Sequence, residues 1–429
     1  LWSRGLGDVY KRQRNSWENE CLASVSPGIG IFLLYVRCGG KMCDQEYKAG
    51  VVYLDNAATT RMAEEAEAAM QPYLVEKFGN ASTAYGYGEE AQAAIAHARE
   101  VIAASLDARP SEIYFTSGGS EADNWAVKGV AEAYGKYGRH IITSRIEHHA
   151  VLNSCHYLEE QGYEVTYLDV DQNGMISLEQ LEHAVREDTI LISVMFGNNE
   201  VGTIEPVMQI GRFARDHQIL FHTDAVQAYA QIPISMQQYH IDLLSASAHK
   251  FHGPKGVGFL YVRDGVTMPS FIHGGSQERG KRAGTENVPG IVGMGKAVEL
   301  AFCNMRRRIR REMMLRNYLI EKIMHEIKGV RLNGHPTNRL PGNVNVSFSG
   351  VDGASLLILL YEDGICASGG SACNTGEERV SYVIGALGVP DEYAPGTVRM
   401  TLSGETTREE IDRAVEALKQ NLRKLRDEK

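Results

Sequence analysis

The stretch Ser245-Ala-Ser-Ala-His-Lys-Phe-His-Gly-Pro-Lys-Gly-Val-Gly-Phe-Leu-Tyr-Val-Arg263 decides how this chain is read. Lys250 follows small and hydroxylated residues and a histidine, and a glycine-punctuated turn then leads into an apolar run over 257–262. Ser245, Ser247 and His249 supply polar side chains without bulk, so a large anionic ligand can approach the backbone. Lys250 lies between a strand-like approach, 241–245, and the tight turn Gly253-Pro-Lys-Gly256. That place suits a lysine that bonds covalently to a carbonyl. Taken alone it also suits a solvated lysine beside a hairpin, so the surrounding chain has to decide.

Strand and helix patterns alternate upstream. Apolar runs over 112–116, 140–143, 165–168, 189–196 and 219–222 read as strands; spacings over 120–134, 150–161, 177–185 and 208–217 read as helices. Buried strands alternating with amphipathic helices predict an α/β fold with a parallel sheet covered on both faces. Ligands of such sheets sit beyond the carboxyl ends of the strands. Those ends carry Gly119 and Ser120, His148, Asn199, Asp224 with Gln227, and then Ser247, His249 and Lys250. Each has a plainer reading: Ser120 and Asp123 fit a capping box, Asp224 can cap a helix, Asn199 can sit in a turn, and His148 can be a surface histidine. Their joint occurrence at successive strand ends is what those readings explain badly.

This set suits a ligand carrying a phosphate, a basic ring nitrogen and an aldehyde. The helix opening at Ser120 presents free N–H groups and a positive dipole end to a phosphate, and Ser247 and His249 add donors. Asp224 can keep a pyridine nitrogen protonated, His148 can stack on the ring and move protons, and Lys250 can take the aldehyde. Together they specify pyridoxal 5'-phosphate.

Composition narrows the rest. With 44 Lys and Arg against 54 Asp and Glu, the net charge of -10 argues against a nucleic-acid surface. The basic cluster Arg306-Arg-Arg-Ile-Arg-Arg311 falls within a helical pattern and reads as a solvated face. Seven unevenly spaced cysteines form neither a disulfide framework nor a metal-ligand pattern, so no metal and a cytoplasmic location are expected. The apolar run over 29–36 is too short to span a bilayer. Residues 1–41 are expected to be an extraneous or disordered extension outside the fold.

The chain resembles cysteine desulfurases of the NifS/IscS type, in the class V aminotransferase branch of fold-type I enzymes. The resemblance covers about 51–427. It rests on Tyr53-Leu-Asp-Asn-Ala-Ala-Thr-Thr60, Phe115-Thr-Ser-Gly-Gly-Ser-Glu-Ala-Asp-Asn124, Glu147-His148, Asn198-Asn-Glu-Val-Gly202, His222-Thr-Asp-Ala-Val-Gln227, Ala248-His-Lys250 and Arg282-Ala-Gly-Thr285. It implies a large domain over 62–305 with a mostly parallel seven-stranded sheet. A smaller α+β domain would combine 51–61 with 306–429. It implies Lys250 as the Schiff-base lysine, Asp224 on the pyridine nitrogen, His148 over the ring and Gln227 near the ring hydroxyl. Gly119, Ser120, Ser247 and His249 would hold the phosphate, with Thr285 reaching across from the second subunit of a homodimer. Asn199 and Arg399 would bind the carboxylate of L-cysteine.

In Cys366-Ala-Ser-Gly-Gly-Ser-Ala-Cys373-Asn-Thr-Gly376, glycines and small residues describe a mobile loop. The resemblance makes Cys373 the sulfur acceptor that carries a persulfide to an iron–sulfur scaffold or a thiolation enzyme. Gly119-Ser120 and Phe196-Gly197 depart from the common family residues, and Cys366 is an additional thiol. Two alternatives stay open: a related lyase or aminotransferase that does not use Cys373, such as a selenocysteine lyase, and a catalytically degenerate partner-binding copy.

Overall fold

The computed structural model describes residues 50–369 and 380–427. Cys373 and the expected extension 1–41 lie outside them. The strands are β1 (Val52–Tyr53), β2 (Ile113–Thr116), β3 (His140–Ser144), β4 (Glu164–Leu168), β5 (Thr189–Ser193), β6 (Leu220–Asp224), β7 (Leu243–Ser247), β8 (Gly258–Val262), β9 (Val330–Leu332), β10 (Asn343–Phe348), β11 (Ile365–Cys366) and β12 (Thr397–Thr401). Seven form one sheet in the order β2-β8-β7-β6-β5-β3-β4. Neighbours in that sheet run parallel except at β8, which is antiparallel to both β2 and β7.

Strand side chains alternate between faces, and the core divides accordingly. Ile142, Ile192, Leu244 and Phe259 pack with Ile95 and Ile102 of the Gly86–Ser105 helix and Met294 and Val298 of the Val288–Cys303 helix. Their chain neighbours Ile141, Leu191, Leu243 and Leu260 pack on the other side with Trp125 and Ala126 of the Gly119–Tyr134 helix and Val151 and Cys155 of the His149–Glu160 helix. The covering helices show the matching 3.6 period: Val207, Ile210, Gly211 and Ala214 are the buried residues of the Val207–Asp216 helix.

A second sheet, in the order β12-β10-β9, is antiparallel. Its Val344, Val346 and Val398 form a separate core with Leu319 and Ile323 of the Met305–Glu326 helix and Val415 and Leu418 of the Arg408–Asp427 helix. The first strand pairs with this C-terminal part: β1 runs parallel to β11, and Thr401 donates its N–H to Leu54 O at 2.7 Å.

Two readings need correcting. The run 189–196 ends as a strand at Ser193, although Val194 and Phe196 still donate to His222 O and Asp224 O. Apolarity outlasts the strand because 194–196 remain buried beneath the loop that carries Asn199. The capping box at Ser120 does not form. The helix begins at Gly119 with Gly118 as its unassisted cap, and Asp123 turns inward with 1% of its surface exposed.

Candidate active site

β2, β3, β5, β6 and β7 end on one edge of the large sheet, and the loops that follow them surround a cavity of about 460 Å³. This is the size range of small-molecule sites. Gly119, Ser120, His148, Asn199 and Asp224 line it, as do Gln227, Ser247, His249, Lys250 and Arg399. Thr285 does not line it and is exposed.

Lys250 closes a one-turn helix, Ala248–Lys250, that follows β7 directly. Its Nζ donates to Ala57 O at 2.6 Å and Ala58 O at 3.0 Å, and Gln227 Nε2 donates to the same Ala57 O at 2.9 Å. The N-terminal turn is thereby tied to the strand ends. Asp224, the last residue of β6, accepts the Val226 N–H on Oδ1 at 2.8 Å. Burial pushes its carboxyl upward, against the lowering effects of His148 and Lys250.

His148 caps the His149–Glu160 helix: its Nδ1 accepts the Ala150 N–H at 3.1 Å, so the proton of a neutral ring sits on Nε2. Burial pushes this imidazole's pKa down, with Asp224 opposing. His249 Nδ1 pairs with Thr59 Oγ1 at 3.1 Å, and burial together with Lys250 and Lys255 lowers its pKa to about 4. Both rings are neutral at pH 7.

At the head of the Gly119–Tyr134 helix, the first N–H groups have no intrahelical acceptor. A Cβ on Gly119 would stand 2.6 Å from Val226 Cγ2 and 3.7 Å from Ser247 Cβ, so the glycine keeps this corner open. Opposite, Arg399 is brought in by β12; its Nη1 donates to Asn199 O at 3.0 Å and its Nη2 to Asp55 Oδ1 at 2.9 Å. Four buried polar atoms of the lining have no hydrogen-bond partner: Arg399 Nε, Asn199 Oδ1, Glu200 Oε2 and Asp123 Oδ1. Unpaired buried polar groups are costly, and a polar ligand in the cavity would satisfy them.

Sequence reasoning missed three contributors. Asp123 was read as a cap, yet its carboxylate, the His148 ring and the Asp224 carboxylate each place a ligating atom within 4.8 Å of the others. Asp55, the partner of Arg399, lies 344 positions away from it, beyond any local signal. Tyr382 lines the cavity, with its hydroxyl on Glu147 O at 2.6 Å and its ring edge-on to His149 at 4.9 Å. The cysteine loop is described only as far as Gly369; at its start, Ser368 and Arg399 exchange backbone bonds of 3.1 and 2.6 Å.

The profile of the Aminotransferase class-V family matches residues 52–414. A protein named Cysteine desulfurase IscS from Methanosarcina thermophila is 52% identical over 391 residues, covering 91% of this chain and 96% of that protein. Its namesake from Dictyoglomus turgidum is 51% identical, covering 87% and 95%. Among solved structures, a NifS-like protein superposes with a TM-score of 0.82 at 41% identity, covering 87% of this chain and all of that one. A structure described as SspA in complex with cysteine gives 0.75 at 40% identity, covering 83% and 100%.

Proposed function

Because this chain belongs to the aminotransferase class-V family, we propose that it is a cysteine desulfurase: it binds pyridoxal 5'-phosphate and converts L-cysteine to L-alanine, passing the sulfur to Cys373 as a persulfide. One observation carries the reading. A single cavity gathers an amine, a buried carboxylate, a neutral imidazole and a guanidinium, on Lys250, Asp224, His148 and Arg399.

The donor set suits the cofactor. The open corner kept by Gly119 at a helix N-terminus, with Ser120, Ser247 and His249 around it, matches a phosphate. Lys250 would hold the aldehyde, Asp224 the ring nitrogen and Gln227 the ring hydroxyl. When bound, the pyridine ring draws electrons away from the substrate's Cα. Lys250 Nζ then carries a proton at that carbon. His148, neutral and protonated on Nε2, would lie over the ring and could exchange that proton, a contribution of roughly 10²–10⁴ in rate where such catalysis operates. Arg399 would take the substrate carboxylate with its buried, unpaired Nε, and Asn199 with the N–H groups of its side-chain amide. The Cys373 thiolate attacks the substrate sulfur; the C–S bond breaks, its electron pair stays on Cβ, and a proton completes the methyl group of alanine.

Three further assignments belong to this reading. Residues 62–305 and 51–61 with 306–429 act as two domains around the cavity. The enzyme works as a cytoplasmic homodimer in which Thr285 completes the partner's phosphate site. An acceptor protein, an iron–sulfur scaffold or a thiolation enzyme, removes the sulfur. No helix among the described residues is long and apolar enough to cross a membrane.

A desulfurase forms alanine from L-cysteine with no 2-oxo acid present and loses that activity in Cys373→Ser. A transaminase would need the 2-oxo acid and would tolerate the substitution. Alanine production by the purified protein under both conditions decides between them. A protein that neither takes up the cofactor nor forms product would be the degenerate copy instead.

A further inference from the structure

Beneath the cavity runs a buried polar row that the reaction as described leaves unused. Ser193 Oγ lies 2.8 Å from His222 Nδ1, and His222 Nε2 lies 3.0 Å from Ser245 Oγ. Asp123 continues the row: its carboxyl pairs with Ser245, and its Oδ1 stands 3.7 Å from His222 Nε2. Ser193, His222 and Ser245 have no exposed surface, and Asp123 has 1%. The row thus crosses β5, β6 and β7 and ends on the Gly119–Tyr134 helix, where Asp123 meets Asp224 and His148 within 4.8 Å.

Two carboxylates this close and this dry cannot both be ionised at tolerable cost. Their surroundings differ in a way that decides which keeps the charge. Asp224 lies near the amine of Lys250, whose charge favours an anion there, and accepts the Val226 N–H on Oδ1. Asp123 faces Asp224 and the buried carboxyl of Glu147, which disfavour a second anion, and the His222 ring beside it is neutral. Ser245 alone stabilises its charge, and Oδ1 is left without a partner.

We propose that Asp123 is a positioning residue: a carboxylic acid, oriented by Ser245, which His222 holds in turn, that carries the one proton of the Asp123–Asp224 pair and so leaves Asp224 as the carboxylate available to a ring nitrogen. The final clause rests on the cofactor reading above; the proton assignment does not. Asp123 is a poor sequence candidate because its position, three residues after Ser120, looks like a helix cap.

Infrared difference spectroscopy on the cofactor-free protein at pH 7 tests the assignment. Wild type minus Asp123→Asn is expected to show the loss of one protonated-carboxyl band with no loss of carboxylate absorption. Loss of a carboxylate band instead would overturn the proposal. Kinetics give a second readout. Asp123→Leu, which removes the donor, is expected to lower kcat about tenfold while KM for cysteine stays within about twofold, with Asp123→Asn recovering most of kcat. Equal losses in the two variants, or a loss confined to KM, would count against a positioning role. The infrared result needs no cofactor, so its failure sinks the proton assignment alone, whereas wild-type protein that binds no cofactor sinks the functional reading alone.

Discussion

Arg399 shows how the site's strength rests on single side chains. Two of its donors are committed to Asn199 O and Asp55, and its buried Nε has no partner until a carboxylate arrives. A charge-assisted hydrogen bond contributes about 1.5–3 kcal/mol. Arg399→Lys, which lacks the planar fork, is therefore expected to raise KM for cysteine roughly 10- to 100-fold and to leave cofactor affinity nearly unchanged. Steady-state kinetics beside a cofactor titration checks this; an unchanged KM would contradict it. A second residue gives a stability prediction. Glu205 is buried, accepts the Ile176 N–H on Oε2 and has no partner on Oε1. Burial raises its pKa from 4.5 to about 8. The folded state therefore holds a proton that the unfolded chain has lost, and the stability this gives is full below about 4.5 and lost as pH rises to about 8. The slope is at most about 1.4 kcal/mol per pH unit. Glu205→Gln should flatten it, so urea unfolding at pH 5 and at pH 8.5 should show the variant gaining on wild type only at the higher pH. Residue types and strand-end positions made Lys250, Asp224 and His148 legible in the sequence. Asp55 and Asp123 were not, because their roles depend on which way a strand or a helix turn faces.

At the scale of elements, the site depends on how closely β8 passes beneath the corner kept open by Gly119. Gly258 pairs with Thr116 on one side and Ser247 on the other. A Cβ there would collide with Ala246 O and come within 2.8 Å of Gly118 Cα, both backbone atoms that cannot swing aside. Gly258→Ala should push the Gly118–Gly119 turn outward, cost about 1–3 kcal/mol in stability as an overpacked site, and weaken cofactor affinity at least tenfold. Thermal unfolding and a fluorescence titration with pyridoxal 5'-phosphate measure both; a stable variant with native affinity would show that the turn yields freely. Strand existence was readable because continuous apolar runs mark strands buried on both faces. Their ends were less so: 194–196 is as apolar as the strand before it, and only the packing beneath the cavity shows where the ladder stops. The reversed direction of β8 was equally hidden, since an apolar run reads the same either way.

At the scale of the whole molecule, the cavity draws on both sheets: β6 and β7 present Asp224 and Ser247 and lead into Lys250, while β12 presents Arg399. Thr285 is exposed and does not line its own chain's cavity, so in the proposed dimer it would serve the second copy. Co-expressed Lys250→Ala and Thr285→Tyr chains should then form hybrid dimers with one intact site, active where each homodimer is not. A hybrid as inactive as its parents would place Thr285 within its own chain's site. The most direct test of the proposed reaction is where the sulfur goes. After exposure to L-cysteine, mass analysis of the peptide containing Cys373 should find one added sulfur atom matched by one alanine released, and Lys250→Ala should give neither. Alanine formed without sulfur on Cys373, or sulfur on Cys373 in the Lys250→Ala protein, would contradict it.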